Sequence, residues 1–445
     1  MSKKFWNEKI ETISRGELEK YQLEKLKEQI TAAYENSPAY RESFDEAGVT
    51  PEDLKTLDDL RKFPILTKQR VRERQDKKLI LGDLVVKPEE DVVFISSSSG
   101  STGAPTASPF SKRDFDEFID VESRLYWQAG MRPNDRYIHA LNFSLFVGGP
   151  DVLGAQKLGA LCIWGGTLPA ERLLFILQQY QPTVIWTTPS YAWYLGETAK
   201  QKGIDPAKDL AIKRIIVAGE PGGSIDATRE AIESLWDAEV YDFYGISDIF
   251  GACGAACEEH DGLHIAEDHV YVEVLDEKTG LPVKEGERGE MVLTTLRKEI
   301  RPMIRFRTGD IVTYTNEKCK CGRTLKRIKV IGRLDDMFIA GGVNVFPSDV
   351  EHVARKFDDL TGEYRVTVFE DKHITRFKVE VEKREDSTID TEELREKVAR
   401  AIKIQLGVKA KEVIILEEGQ LPRATHKSKR LIDLRKDGGD NNAKA

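Results

Sequence analysis

A switch in hydrophobic period along the chain constrains the fold more than any other feature. From about residue 91 to 250, short apolar runs (DVVFI, RYIHAL, ALCIWG, TVIWTTP, IKRIIVAGE and EVYDFYG) read as strands and alternate with helical stretches near 113–129, 171–180, 190–202 and 224–236. Such alternation predicts a mostly parallel sheet with helices on its faces and ligands at the carboxyl ends of the strands. From about 262 to 332 the period becomes two, in HVYVEVLDEKTGLPV, GEMVLTTL and MIRFRTGDIVTY, broken by the turn-rich KTG and KEGERGE. That stretch predicts an antiparallel, barrel-like unit. Beyond GRLDDMFIAGG the order is helix, two strands, helix, strand, which is a compact α+β domain. The expected fold is therefore α/β. A large N-terminal domain of helix-flanked sheets covers 1–334 and includes the β-rich unit at about 262–332. A small, mobile C-terminal α+β domain covers 335–436, and the polar tail 437–445 is expected to be disordered. Residues 1–75 are charged, with Leu, Ile and Ala at helical spacing.

Bulk properties remove several function classes. A chain of 445 residues exceeds one ordinary core, so two or three domains are expected. No apolar run approaches the ~20 residues of a membrane helix, and MSKKFWNEKI lacks the apolar centre of a signal peptide. A cytoplasmic location with no membrane partner follows as the expectation. A net charge of -9 argues against a nucleic-acid partner, because phosphate backbones are met by surplus Lys and Arg. Five cysteines are an odd number for a disulfide framework, and reduced thiols or a metal are the better readings.

The segment SSSSGSTGAPT, residues 96–106, places seven hydroxyl side chains and two glycines in eleven positions after an apolar strand. Glycine allows close backbone approach, and hydroxyls with exposed amides can wrap a phosphate. The nucleoside-triphosphate loop G-x-x-x-x-G-K-[ST] is excluded, since Gly103 is followed by Ala104 and Pro105 rather than lysine. A flexible Ser/Gly linker is the alternative, and only the accompanying motifs decide.

Those motifs are GEPGG at 219–223, YGISD at 244–248, RFRTGD at 305–310, GRLDDMFIAGGVNVFP at 332–347 and LPRATHKSKR at 421–430. Taken in order with the hydroxyl-rich loop, they resemble the core motifs of the adenylate-forming enzymes, the acyl-CoA synthetase superfamily. FWNEKIETISRGELEKYQLEKL, GLHIAEDHVYVEV and CKCGRT look like its phenylacetate-CoA ligase branch. The resemblance implies activation of a carboxylic acid by ATP and Mg²⁺ as an acyl-adenylate, with release of pyrophosphate, and then transfer to coenzyme A. Partners are accordingly a small carboxylic acid, ATP and CoA, and a homodimer is compatible with the resemblance.

Residue roles follow by resemblance, each beside the physical need it would meet. Ser98, Ser99, Gly100, Ser101, Thr102, Gly103 and Thr106 would hold the β- and γ-phosphates. Gly219, Glu220 and Pro221 would border the adenine, Tyr244 would stack on it, and Asp242, Gly245 and Ser247 belong to the same nucleotide wall. Asp310 could accept both ribose hydroxyls; a bare TGD is otherwise a common turn. Asp248 stands where the superfamily has glutamate, to hold Mg²⁺ against the phosphates, a role either carboxylate can fill. Lys427 is the catalytic candidate, an ammonium that offsets charge accumulating in the transition state. His426 replaces the glycine usual before it, which leaves Lys429 open as the alternative, and six Lys and Arg in 423–436 also read as a solvated basic tail. Asp335 would be the hinge acid for rotation of the small domain, with Arg333 approaching ribose and phosphate. Gly341 and Gly342 would line a pantetheine channel, or form a tight hairpin, or both.

Cys257-x-x-His260 and Cys319-x-Cys321 make two ligand pairs suited to a structural Zn²⁺, with Cys253 as a possible substitute ligand and ordinary reduced thiols as the alternative. Cys162 reads as a buried hydrophobe. For the acyl pocket, NFSLFVGG at 142–149 with Trp164, Trp186, Tyr191 and Phe250 suits an aromatic or arylacetic acid. The alternatives are transfer to a carrier thiol or an amine, or a silent nucleotide-binding regulator.

Overall fold

A computed structural model describes residues 3–76, 81–97, 106–141, 148–249, 251–371, 374–423 and 430–435. The chain divides into two compact units, one of residues 1–187, 210–219 and 241–329, the other of residues 188–209, 220–240 and 330–445.

Near its start the first unit has a charged helix, Arg15–Asn36, begun by a capping box in which the Ser14 side chain and Glu17 satisfy each other's backbone amides. Strands β1 (Val92–Ser97) and β2 (Ala107–Ser111) form an antiparallel ribbon with Phe94 opposite Phe110 and Ser97 opposite Ala107. This differs from the expectation that DVVFI opens the parallel sheet. The ASPFS segment, carrying a proline and small residues, gives little strand signal, yet it supplies the partner.

Among the described residues the main sheet has eleven strands. Parallel strands β3 (Arg136–His139), β4 (Leu161–Trp164), β5 (Val184–Thr187) and β6 (Arg214–Val217) carry short connecting helices, as the alternating pattern predicts. The others are β7 (Glu239–Ile246), β8 (Gly251–Ala255), β9 (Leu263–Ile265), β10 (Val270–Leu275), β11 (Gly289–Thr295), β12 (Phe306–Thr315) and β13 (Arg327–Arg333). Their order, β10-β11-β12-β13-β9-β8-β7-β6-β5-β3-β4, makes the period-two stretch continuous with the parallel strands. Tyr126, Trp186 and Phe243 pack edge-on or tilted at 5.1 to 5.7 Å in the core of this sheet. Trp186 is therefore core, whereas Trp164 lies on the outermost strand and is 55% exposed. Cys162, on the same strand, is half-buried rather than buried. No helix among the described residues is long and apolar enough to cross a membrane.

Among its described residues the second unit is built on a four-stranded sheet. Strands β14 (Phe338–Ala340) and β15 (Val343–Val345) form a small hairpin; β16 (Leu360–Asp371), β17 (Ile374–Lys383), β18 (Glu412–Leu416) and β19 (Leu431–Asp433) make the sheet, in the order β18-β17-β16-β19. Val366, Val368, Val379 and Val381 alternate with polar residues and meet Leu394, Val398 and Ile402, which repeat at helical spacing on Thr391–Leu406.

Candidate active site

The ribbon β1–β2 pins both ends of the hydroxyl-rich loop. Ser97 and Ala107 lie opposite one another, and the Ser97 hydroxyl donates to the Thr106 carbonyl at 3.4 Å. Ser98, Ser99, Gly100, Ser101, Thr102 and Gly103 lie outside the described residues; Thr106, fully buried, lies within them. Its hydroxyl donates to Asp248 Oδ1 at 2.7 Å, so the last residue of the loop motif and the acid expected to face Mg²⁺ meet directly. A carboxylate and a hydroxyl are hard oxygen donors of the kind Mg²⁺ takes.

Two cations that sequence reasoning missed complete this cluster. The Lys68 ammonium donates to Asp248 and, at 2.5 Å, to Thr106 Oγ1. Burial lowers the affinity of Lys68 for its proton, against the pull of Asp248. Arg301 Nη2 stands 3.8 Å from Asp248 Oδ1. ILTKQR and KEIRPM carry no recognisable spacing, and only the fold brings them to the loop.

Tyr244, on β7, donates its phenol to Asp310 Oδ2 at 2.5 Å. Asp310 lies inside β12 rather than in a turn, its amide donating to Thr308 Oγ1 at 3.0 Å. Asp242 is on the same strand as Tyr244, and its carbonyl accepts from Ala256 N at 2.9 Å. Gly245 follows Tyr244 where the β7–β8 register shifts; a Cβ there would lie 2.4 Å from the Gly251 carbonyl oxygen, so the motif glycine is sterically required. Ser247 opens the turn that presents Asp248.

Gly219 follows β6 in the first unit, and Glu220 and Pro221 open a segment of the second. In that unit Glu220 accepts from Ser190 N at 2.8 Å and from the Ser190 hydroxyl, which ties it to the first turn of the helix Pro189–Gln201. Asp335 and Arg333 are exposed and 3.5 Å apart. Gly341 and Gly342 are the two-residue turn of the β14–β15 hairpin, with φ of 58° and 81°, a left-handed pair that glycine adopts without strain.

Lys427, His426 and Lys429 lie outside the described residues; the flanking motif residues Arg423 and Arg430 lie within them. Arg423 pairs with Glu382, 2.7 Å away and completely buried, whose carboxylate also accepts from Gly419 N, Leu421 N and Thr361. Arg430 pairs with Glu363 and lies 4.9 Å over the Tyr364 ring. The two motif arginines are anchors on β17 and β16. Of the acyl-pocket candidates, 142–147 and Phe250 also fall outside the described residues, and Tyr191 is buried.

Cys257, Cys319 and Cys321 converge as expected, but the fourth member is His264, not His260. All four ligand atoms lie within 4.8 Å of one another and all four residues are buried. Cys257 Sγ to Cys319 Sγ is 3.8 Å and Cys321 Sγ to His264 Nε2 is 3.5 Å. A tetrahedral zinc with sulfur at about 2.3 Å and nitrogen at about 2.0 Å has edges of about 3.8 and about 3.5 Å, so the cluster fits the ion. His260 is turned away by a left-handed backbone, φ 49°, and its ring faces Tyr241 at 5.1 Å. His264 sits on β9, opposite Arg327 of β13, the strand that the CKCG turn leads into. Cys253, on β8, is buried apart from the cluster.

Comparison with known proteins gives a consistent picture. Residues 20–295 match the family described as AMP-binding enzyme, and residues 342–435 match the AMP-binding enzyme C-terminal domain. The chain is 37% identical over 433 residues to a phenylacetate-coenzyme A ligase of Escherichia coli, covering 96% of this chain and 97% of that protein. It is 35% identical over 448 residues to one from Thermus thermophilus, covering 96% and 99%. A crystal structure of 2-hydroxyisobutyryl-CoA ligase in the postadenylation state with 2-HIB-AMP superposes with a TM-score of 0.92 at 30% identity, over 98% of this chain and 94% of that one. The same ligase with 2-HIB-AMP and CoA in the thioesterification state gives 0.73 at 30% identity, over 97% and 92%.

Proposed function

The chain belongs to the AMP-binding enzyme family, and on that premise we propose that it activates an aromatic or arylacetic acid. It is an ATP-dependent, AMP-forming acid–CoA ligase: a carboxylate becomes an acyl-adenylate with loss of pyrophosphate, and CoA then displaces AMP to give a thioester. Relatives named phenylacetate-coenzyme A ligase support the arylacetic substrate. The observation that carries the reading is the first unit's pairing of its two motif acids with their motif partners, Asp310 with Tyr244 and Asp248 with Thr106.

The chemistry asks the protein to hold a nucleotide still and to offset charge at the α-phosphate. Asp310 accepts the ribose hydroxyls, taking them in place of the Tyr244 phenol. Asp248 and Thr106 are the residues that would hold Mg²⁺, which when bound lowers the charge of the phosphates. The hydroxyl-rich loop, pinned by β1 and β2, wraps the outer phosphates. Lys427 meets the charge that develops as the acid oxygen attacks; the residues flanking its segment, Arg423 and Arg430, are anchored by buried carboxylates. Cys257, His264, Cys319 and Cys321 would hold a structural Zn²⁺ that has no part in the reaction and ties β9 to the turn before β13.

A short hydroxy acid is the second reading, carried by the likeness to 2-hydroxyisobutyryl-CoA ligase. Hydroxamate trapping with Mg-ATP across aryl, arylacetic, hydroxyalkanoic and fatty acids distinguishes the two without presuming the acceptor. Preference for arylacetates supports the proposal; preference for hydroxyalkanoates overturns it in favour of the second. A homodimer, which the family resemblance allows, is checked by light scattering.

A further inference from the structure

We propose that Lys68 is a phosphate-binding cation of the nucleotide site, parked on Asp248 until the nucleotide enters; the proposal rests on the ligase reading above. The Thr67 hydroxyl accepts from Arg70 N at 3.2 Å, which places Lys68 in the first turn of the helix Lys68–Asp76. The residue before this cap is locked to β12: Leu66 N donates to the Arg305 carbonyl and Arg307 N to the Leu66 carbonyl, both at 2.9 Å. The root of Lys68 is thus fixed beside the strand that carries Asp310. Further along the same helix, Gln75 Oε1 accepts from Ala107 N at 2.8 Å. One helix therefore grips the end of the phosphate loop twice, through the Thr106 side chain and the Ala107 backbone.

The charge count explains why a lysine belongs there. Asp248 contributes one negative charge, against one positive charge each from Lys68 and Arg301, and Arg72 adds to the positive field at Lys68. Further out, burial lowers Lys298 to about 7 against the pull of Asp114, so neither overturns this balance. The cluster is net positive in a chain of charge -9. Such a site disfavours a bare divalent cation and favours an anion, and Mg·ATP still carries net negative charge. If Asp248 needed only a buried counter-ion, Arg301 would suffice. The Arg301 side chain is 1% exposed and fixed to the Ala107 carbonyl, whereas that of Lys68 is 29% exposed and on a longer, freer stem. Lys68 is the cation able to leave. When nucleotide binds, its ammonium exchanges the Asp248 carboxylate for a phosphate oxygen, and the freed oxygen becomes available to the metal.

The test uses the full chain with Lys68→Met and Lys68→Arg, and reads binding rather than turnover. Calorimetry should show ATP affinity falling about ten- to hundredfold in Lys68→Met, the scale of a lost charge-assisted hydrogen bond, and recovering in Lys68→Arg. Electron paramagnetic resonance titration with Mn²⁺ and no nucleotide should reveal a site in Lys68→Met that wild type lacks and that Asp248→Asn removes. ATP affinity unchanged in Lys68→Met overturns the proposal whatever Mn²⁺ does, and leaves Lys68 as a salt bridge. Lys68→Gln serves the same measurement should the methionine variant fail to fold. Wild-type chain that binds no ATP would overturn the ligase reading itself, a result distinct from an unaltered variant.

Discussion

The phenol of Tyr244 donates to Asp310 Oδ2 at 2.5 Å, joining two motifs 66 positions apart in the chain. Asp310 is 5% exposed, so its carboxylate is poised to accept hydrogen bonds from a partner it already shields from water. Asp310→Asn should raise KM for ATP about tenfold or more, since one of two accepting oxygens becomes a donor facing a donor. Tyr244→Phe removes only the hydroxyl and should raise it a few-fold. Acid-dependent exchange of labelled pyrophosphate into ATP measures both; equal effects of the two substitutions would argue against Asp310 as the ribose acceptor.

The two candidate histidines of the thiol cluster make opposite predictions. His264→Ala removes one of four converging ligands and should lose bound zinc, measured by elemental analysis, together with several degrees of Tm. His260→Ala should retain the metal at one ion per chain. Strong chelation of wild type should lower Tm as His264→Ala does. If His260→Ala loses the ion and His264→Ala keeps it, the ligand set is wrong.

The contrast between those histidines shows what the sequence could and could not reveal. Cys257-x-x-His260 has the familiar ligand spacing, but a left-handed backbone at His260 points its ring at Tyr241, while a strand pairing set by long-range register brings His264 in. Asp248, Asp310 and Tyr244 were legible because each sits in a short motif whose order along the chain is informative. Lys68 was not, because its role depends on where the helix Lys68–Asp76 lies against the β1–β2 ribbon. The parallel strands β3 to β6 announced themselves as apolar runs between helices. β2, with ASPFS, has neither β-branched residues nor alternation, so the ribbon that pins the loop came only from the fold. Trp164 and Trp186 look alike in sequence, and sheet order alone puts one outside and the other in the core.

Buried histidines give the first unit an acid-sensitive stability. Burial lowers His139 to about 3 and His269 to about 4, the latter against the opposing pull of Asp268, from an ordinary value of 6.5. Below pH 6.5 the unfolded chain takes up a proton that the folded chain refuses. Stability therefore falls as pH falls toward those values, by up to about 1.4 kcal/mol per pH unit for each histidine. Glu122 and Asp151 act in the opposite sense: burial raises both, so they cost stability as pH rises. The histidine contribution is accordingly read as a difference. Denaturant unfolding of wild type and His269→Gln between pH 7.5 and 4.5 should show the variant gaining on wild type as pH drops, and parallel profiles would count against a neutral buried His269.

The anchors of the Lys427 loop separate stability from chemistry. Glu363 is 7% exposed; burial would raise its pKa, and Arg430 outweighs that and lowers it. Arg430→Met leaves a buried carboxylate without its cation and should destabilise the second unit by about 3–5 kcal/mol. It should also slow adenylation, because one of the two anchored residues flanking Lys427 loses its partner. If the rate effect passes through Lys427, Lys427→Ala and Lys427→Ala/Arg430→Met will share one residual rate of pyrophosphate exchange, while only the double variant melts early. Independent roles would instead multiply the two losses. Glu382→Gln probes the other end, where four donors converge on one carboxylate, and the same non-additivity is expected with Lys427→Ala. Should Lys429 rather than Lys427 be the reacting cation, Lys427→Ala will retain most of the exchange rate, and the shared residual rate will appear with Lys429→Ala.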